Sequence, residues 1–188
     1  MLAREILLDL YNKFFRMQSY PVEWKEFLVS FILKDETKRK YRLMSLSMCL
    51  GKIMKKMVNN RLNWWCEVCW GFPSSQFGFR RDRSCIDNLA ILQSGIFLGK
   101  EKKQITSAVF LNIKAAYDNV LTDILMDKLV RMGLSSDILA FVHDLIYSRK
   151  VTCRFEEIDD IRWTFRGLPQ GSVLSPLLYN IYVAELDG

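Results

Sequence analysis

The run Thr106-Ser-Ala-Val-Phe-Leu-Asn-Ile113 constrains the fold more than any other part of this sequence. It is short and almost continuously apolar, and such a run reads as a strand buried on both faces instead of a one-sided surface strand. A strand of that kind has to be covered by helices. Helical patterns duly stand on both sides of it.

Apolar positions at helical spacing mark Leu2 to about Met17, with Pro21 beyond the end of the pattern. Phe27 to Leu33 is rich in aromatic and branched residues and short enough for a strand. A charged turn, Lys34 to Lys40, leads to Tyr41 to Leu46, so the two segments read as a hairpin with a basic tip. From about Cys49 to Cys69 the pattern is again helical, with Ile53, Met54, Met57 and Leu62 inward and Lys52, Lys55, Lys56 and Arg61 outside. Ser84, followed three residues later by Asp87, resembles a capping box opening a helix through about Leu98.

After the 106–113 strand, one helix covers Leu121 to Met132 and stops at Gly133. A second begins at Ser136 and repeats Ile138, Leu139, Phe141, Val142, Leu145 and Ile146. Val151 to Phe155 and Ile161 to Phe165 read as a strand pair around an acidic turn, Glu156 to Asp160. A loop punctuated by Gly and Pro, Gly167 to Gly171, precedes a last helix, about Val173 to Glu185. Strands interleaved with helices imply an α/β or α+β domain.

Half of the 188 residues are hydrophobic, enough to bury a core and too many for a disordered segment. No run approaches the roughly 20 apolar residues of a membrane span, and the first residues lack the apolar core and cleavage site of a signal peptide. The expectation is an intracellular protein, nuclear or cytoplasmic, with no membrane segment. Its five cysteines are scattered and odd in number, and a reducing compartment keeps them as thiols. Cys66 and Cys69 form a C-x-x-C, but a zinc site needs a second pair at suitable spacing, and the one histidine, His143, is far off in sequence. The pair therefore reads as two cysteines on one helix face beside Trp64, Trp65 and Trp70.

Charge is unevenly spread. Residues 1–103 carry 19 Lys or Arg against 10 Asp or Glu, and residues 104–188 carry 8 against 11, so the first part is +9 and the second −3. Cations beside carboxylates suit a protein that holds phosphate backbones and metal ions together, although a basic face is also common on ordinary soluble proteins.

Four blocks then follow one another: Tyr41-Arg-Leu-Met-Ser-Leu46 with its helix, Gln76-Phe-Gly-Phe-Arg-Arg-Asp-Arg-Ser84, Phe110-Leu-Asn-Ile-Lys-Ala-Ala-Tyr-Asp118, and Gly167-Leu-Pro-Gln-Gly-Ser-Val-Leu-Ser-Pro-Leu-Leu-Tyr-Asn-Ile-Tyr-Val183. Together, over roughly residues 22 to 188, they resemble the reverse transcriptases of non-LTR, LINE-type and jockey-like retrotransposons. The resemblance implies a right-hand polymerase fold, here fingers plus the first part of the palm and no thumb. It divides the chain into an N-terminal helix (1–21), a basic fingers region (22–103) and a partial palm (104–188). The partners it implies are an RNA template, a DNA primer and deoxynucleoside triphosphates, and the reaction is nucleotidyl transfer assisted by two Mg²⁺ ions.

The resemblance also implies residue roles. Lys34 and Arg42 match cations that clamp the triphosphate, where they neutralise charge as pyrophosphate leaves. Ala115 and Ala116 match small residues that let backbone N–H groups approach phosphates, and Tyr117 matches an aromatic residue that excludes a ribose 2′-hydroxyl by bulk. Gln170 and Gly171 lie in the loop that meets the nucleotide; the Gln side chain offers both a donor and an acceptor, and Gly admits unusual backbone angles. Arg80, Arg81 and Arg83 match contacts to the template backbone. As residues alone, these cations also read as a hydrated surface and Tyr117 as core. Leu174, Leu177, Leu178 and Ile181 keep helical spacing behind the loop and read as packing.

The sequence departs from the family at the metal site. Asn112 stands where the family has the Asp that holds both Mg²⁺ ions, with the main-chain carbonyl of Ile113 beside it. Magnesium favours anionic oxygen ligands, and Asn offers a neutral carbonyl. Asp118 lies past a turn and reads as a cap for the next helix. The family's Tyr/Phe-x-Asp-Asp hairpin would follow the last helix, and Glu185 and Asp187 lie before its position, so the 188-residue chain is expected to be inactive alone. Leu43, Asp82 and Cys85, where Pro, Gly and Thr are usual, point to relaxed constraint on the nucleotide and template contacts.

Overall fold

In the computed structural model, which describes residues 2–35, 40–155 and 158–184, the chain forms six α-helices and a four-stranded sheet. Helix α1 (Leu2–Arg16) leads through a 3₁₀ turn (Val22–Lys25) into β1 (Glu26–Asp35) and β2 (Lys40–Leu46). Then come α2 (Cys49–Trp65), α3 (Cys85–Glu101), α4 (Thr122–Arg131), α5 (Ser136–Ile146), β3 (Arg149–Phe155), β4 (Ile158–Thr164) and α6 (Ser175–Val183). The sheet runs β2-β1-β3-β4. Both hairpins are antiparallel, and β1 pairs parallel with β3, Phe27 opposite Val151. Two strands before residue 104 and two after it thus share one sheet.

The core joins α1, α2, α4, α5 and α6. Leu125 and Leu129 of α4 are buried, and so are Phe141 and Val142 of α5 and Leu174, Leu177, Leu178 and Ile181 at and within α6, as the helical spacing of α5 and α6 predicted. Phe141 packs against Phe15 of α1 (ring centroids 5.2 Å apart) and edge-on to Tyr20 (6.2 Å). One polar anchor lies among these rings. Asp144 accepts hydrogen bonds from the Tyr20 N–H and the Lys25 ammonium, both at 2.6 Å.

Sequence and structure differ on the buried face of α2. Met54, Val58 and Leu62 point inward, but so does Lys55, whereas Ile53 and Met57 are exposed. Apolar residues occur around much of this helix, so periodicity leaves its orientation to the neighbours. Gly51 decides it: a Cβ there would lie 2.5 Å from the Tyr20 hydroxyl oxygen and 3.2 Å from Trp24 Cβ. Tyr20 and Trp24 dock on that bare backbone and turn the Gly51–Lys55 side into the core. At its end α2 widens into a π-helical stretch, Cys66–Trp70. The wider i→i+5 winding swings residues three apart away from each other, so Cys66 is buried and Cys69 exposed. Burial raises the Cys66 thiol to about 12, with the nearby Glu67 carboxylate adding to the shift.

The largest correction concerns residues 106–113. They form no strand and are exposed throughout; Ile105 is 96% and Leu111 89% accessible. A strand exists only through backbone bonds to another strand. The four described strands pair with each other elsewhere. Helix α3, opened by the expected capping box (Asp87 N–H to Ser84 Oγ 3.3 Å, Ser84 N–H to Asp87 Oδ2 2.7 Å), buries no residue. Its apolar side chains lie on all sides, the pattern of a helix meant to be surrounded. Asp118 does not cap the following helix, because α4 starts four residues later behind Leu121 with no side-chain cap. Thr122 instead donates its hydroxyl to the Phe165 carbonyl at 3.1 Å.

These burials make opposite predictions for two apolar deletions. In urea denaturation, Phe141→Ala is expected to cost about 3–5 kcal/mol, and Leu111→Ala to stay within about 0.5 kcal/mol of the parent. A Leu111→Ala loss as large as that of Phe141→Ala would place the 104–113 segment in the core and contradict this packing.

Candidate functional site

A cleft of about 540 Å³ lies between one face of the sheet and the Gly167–Gly171 loop. Strand alternation sends every second side chain to the same face. Phe27 and Val29 of β1, Leu43 and Ser45 of β2, Arg149 and Val151 of β3, and Arg162 and Thr164 of β4 all line it. Asp118, Asn119 and the stretch from Arg166 to Gln170 form the opposing wall.

Backbone bonds fix that wall. The Gly167 N–H donates to the Val120 carbonyl and the Leu168 N–H to the Tyr117 carbonyl, each at 2.8 Å. Gly167 has φ +75°, and a Cβ there would lie 2.9 Å from the Asp118 carbonyl oxygen. Only glycine lets the loop approach the 114–120 turn this closely. On the other side the Ser45 N–H donates to the Gln170 carbonyl at 2.8 Å, tying the loop to β2. Ser175 Oγ donates to the Pro169 carbonyl at 2.8 Å and leads into α6.

The cleft is electropositive. Arg149, Arg162 and Arg166 line it, with Asp118 as the one carboxylate among the described residues. Arg162 pairs with Asp160 at 2.9 Å. Arg149 is buried and donates through Nη2 to the carbonyls of Arg166 and Gly167, both at 2.7 Å; burial lowers its pKa to about 10. Sequence reading missed these arginines. The signal was available for Arg149, which stands two residues from Val151 and therefore on the same face of β3.

The predicted site residues fall into three groups. Gln170 lines the cleft, and Gly171, with φ +97°, lies next to it against Met44 and Ser45 of β2. Tyr117 is half-buried behind the loop, edge-on to Tyr179 with centroids 5.2 Å apart; burial, then Tyr179, raises its pKa. Ala115 adopts φ 51°, and its carbonyl accepts from the Asn119 N–H at 3.0 Å, which closes the turn that includes Ala116. Arg42 lies opposite Ile32 in the hairpin register and Lys34 at its irregularity; the side chains of both lie outside the described residues, as do Glu185 and Asp187.

The arginine block is held apart from the cleft, on α6. Asn180 Nδ2 donates to the Gly78 carbonyl at 2.6 Å, and Gln76 Nε2 to the Asn180 carbonyl at 3.1 Å. The Arg80 side chain is 8% exposed and fully engaged: a two-pronged pair with Glu67 (3.0 and 2.7 Å), bonds to the carbonyls of Pro73 and Gln76, and the Phe72 ring 5.0 Å away. Arg81 extends outward beside Asp82, whereas Arg83 stacks over Phe77 at 5.2 Å.

Asn112 and Ile113 lie exposed in the irregular segment before the turn. A Mg²⁺ pair requires several anionic oxygens converging on one point. Among the described residues no group of three His, Cys, Asp or Glu side chains converges anywhere. With a neutral amide at 112, the donors present do not fit two divalent ions. No helix of the described residues is long and apolar enough to cross a membrane.

Comparison with known proteins gives one consistent result. The family model described as "Reverse transcriptase (RNA-dependent DNA polymerase)" matches residues 32–188. The probable RNA-directed DNA polymerase from transposon BS of Drosophila melanogaster is 31% identical over 182 residues, 94% of this chain and 20% of the relative. The RNA-directed DNA polymerase from mobile element jockey of Drosophila funebris is 29% identical over 96% of this chain and 20% of its own length. A more distant match, 23% identical over 88% of this chain and 24% of the relative, is the retrovirus-related Pol polyprotein from type-1 retrotransposable element R2 of Popillia japonica. The chain spans about a fifth of the length of the first two.

The Arg80 geometry predicts that Arg80→Lys, which keeps the charge but loses the two-pronged pair and its carbonyl bonds, costs on the order of 2 kcal/mol of stability without any nucleic acid present. Unaltered thermal and urea midpoints would show that Arg80 is not the anchor of this block.

Proposed function

The chain belongs to the reverse transcriptase family, of the kind found in non-LTR retrotransposons, and from that membership we propose that it is the fingers and first part of the palm of an RNA-directed DNA polymerase. The polymerase would copy an RNA template from a DNA primer with deoxynucleoside triphosphates. The observation that carries this reading is the backbone tie of the Gly167–Gly171 loop to both the 114–120 turn, through Gly167 and Leu168, and β2, through Gln170. It brings three of the four sequence blocks together around one basic cleft. In this reading Gln170, Gly171 and the Ala115-Ala-Tyr117 turn hold the nucleotide, with Lys34 and Arg42 reaching it from the hairpin. Arg81 and Arg83 face the template, and Arg80 holds their segment in place.

A second reading, nucleic-acid binding without synthesis, is favoured by Asn112. With that amide in place of a carboxylate, the binding surfaces remain but the means to activate a primer hydroxyl is weakened. The proposal is therefore that these 188 residues bind a primed template and do not extend it.

Both halves are measurable. Binding of an RNA–DNA primer-template, followed by fluorescence anisotropy, is expected to weaken by more than about tenfold between 50 and 200 mM salt, and further in Arg81→Ala/Arg83→Ala. Primer extension with Mg²⁺ should equal a mock preparation, and Asn112→Asp alone should leave it there. Absent or salt-insensitive binding refutes the nucleic-acid reading; incorporation by the parent chain refutes the inactivity.

A further inference from the structure

Among the described residues, six that are not glycine hold a positive φ, and Phe79 is the one with a large apolar side chain. Its φ is 52°, a left-handed conformation that a Cβ disfavours and that bulky residues rarely adopt. Gly78, which would take it freely, stands one residue earlier. Folding also leaves the Phe79 ring in water: the residue is 68% exposed, whereas Phe77, two positions before it, is 7% exposed. Packing accounts for neither feature.

The turn is nonetheless held from inside. The Gly78 carbonyl, in the peptide that precedes Phe79, accepts from Asn180 Nδ2. Arg80, which follows it, is gripped by Glu67 and by the carbonyls of Pro73 and Gln76. Phe79 is therefore fixed from both sides. Backbone strain persists only where the surroundings over-determine it, and such places cluster at functional sites. What this strain achieves is to aim a flat ring at solvent beside cations. The Arg81 side chain is 83% exposed, with Asp82 3.6 Å away as its partner, and Arg83 lies over the Phe77 ring. An aromatic face flanked by cations is what holds single-stranded nucleic acid, because each unpaired base offers a π face to stack and each phosphate a charge to neutralise.

We propose that Phe79 is a stacking platform for one unpaired base of a single-stranded nucleic acid, with Arg81 and Arg83 on the adjoining phosphates. The proposal rests on the nucleic-acid reading above and adds to it a contact that carries no charge. Salt does not screen that contact. It selects the unpaired state over the sequence, since every base has a π face and a duplex keeps those faces stacked on one another. A ring already fixed by its backbone also loses little freedom when a base settles on it.

The test is fluorescence anisotropy of the 188-residue chain with a labelled single-stranded oligoadenylate and with a blunt duplex. Phe79→Leu, which keeps apolar bulk but has no flat face, is expected to bind the single strand about tenfold more weakly. Its salt dependence should match the parent's, whereas Arg81→Ala should make that dependence shallower. Phe79→Trp is expected to bind the strand at least as tightly as the parent, and the duplex should not distinguish Phe79→Leu from the parent. Phe79→Gly separates binding from folding: relief of the left-handed strain should let it melt no lower than the parent, while it loses affinity as Phe79→Leu does. Equal affinity of Phe79→Leu and the parent for the single strand, an equal loss on the duplex, or a parent chain that ignores single strands would overturn the inference. A lower Tm for Phe79→Gly would overturn it too, by showing that the ring serves packing. Salt-sensitive binding of the primer-template tests the underlying reading separately.

Discussion

The Gly167–Gly171 loop depends on backbone bonds made in two directions at once, and the arrangement of the cleft rests on them. Toward the interior, its N–H groups reach the carbonyls of Val120 and Tyr117; toward the sheet, its Gln170 carbonyl receives the Ser45 N–H. Neither contact involves a side chain, so the loop is positioned by main-chain geometry that Gly167 alone permits. Arg149 then closes the arrangement from β3 through two carbonyls of the same segment. Parts of the chain more than a hundred residues apart are thereby fixed around one cavity.

Charge divides into two kinds within this framework. Arg80, Lys25 and Lys150 are neutralised by carboxylates and serve as anchors. Arg81 extends outward, and Arg149 and Lys55 are buried with no acidic partner among the described residues. That pattern gives the molecule a surplus of cations where phosphate is expected and a shortage of carboxylates where metal is expected, with Asn112 at the centre of the shortage. Folding and binding surfaces tolerate this exchange more readily than chemistry does. An amide replaces a carboxylate with little change of shape, whereas the field a divalent ion experiences is altered by a full charge.

Residues 85–113 follow a different logic from the rest. Helix α3 has a good start signal, yet no side chain of it is buried, and the apolar run after it is irregular and exposed. A contiguous exposed surface of this composition favours association and low solubility. Its sequence is that of an interior element, and the described residues offer it no neighbour.

Much of the fold was legible in the sequence because helical and hairpin signals are local. The Ser84–Asp87 capping box, Gly133 after α4, the hairpin of β1 and β2 and the apolar spacing of α5 and α6 are all found where the residues implied. The four motif blocks, read in order, were enough to indicate the family. What the sequence by itself determined is therefore which backbone conformation each segment prefers and which chemistry its blocks descend from. The tertiary structure alone decided that Lys55 faces inward, that Arg80 is an anchor, that the face of β3 shared by Arg149 and Val151 is the one lining the cleft, and that the 106–113 run is not a strand. The physical reason is common to all four. Burial, ion pairing and strand formation are properties of two surfaces in contact, and the second surface comes from a distant part of the chain that no local pattern specifies.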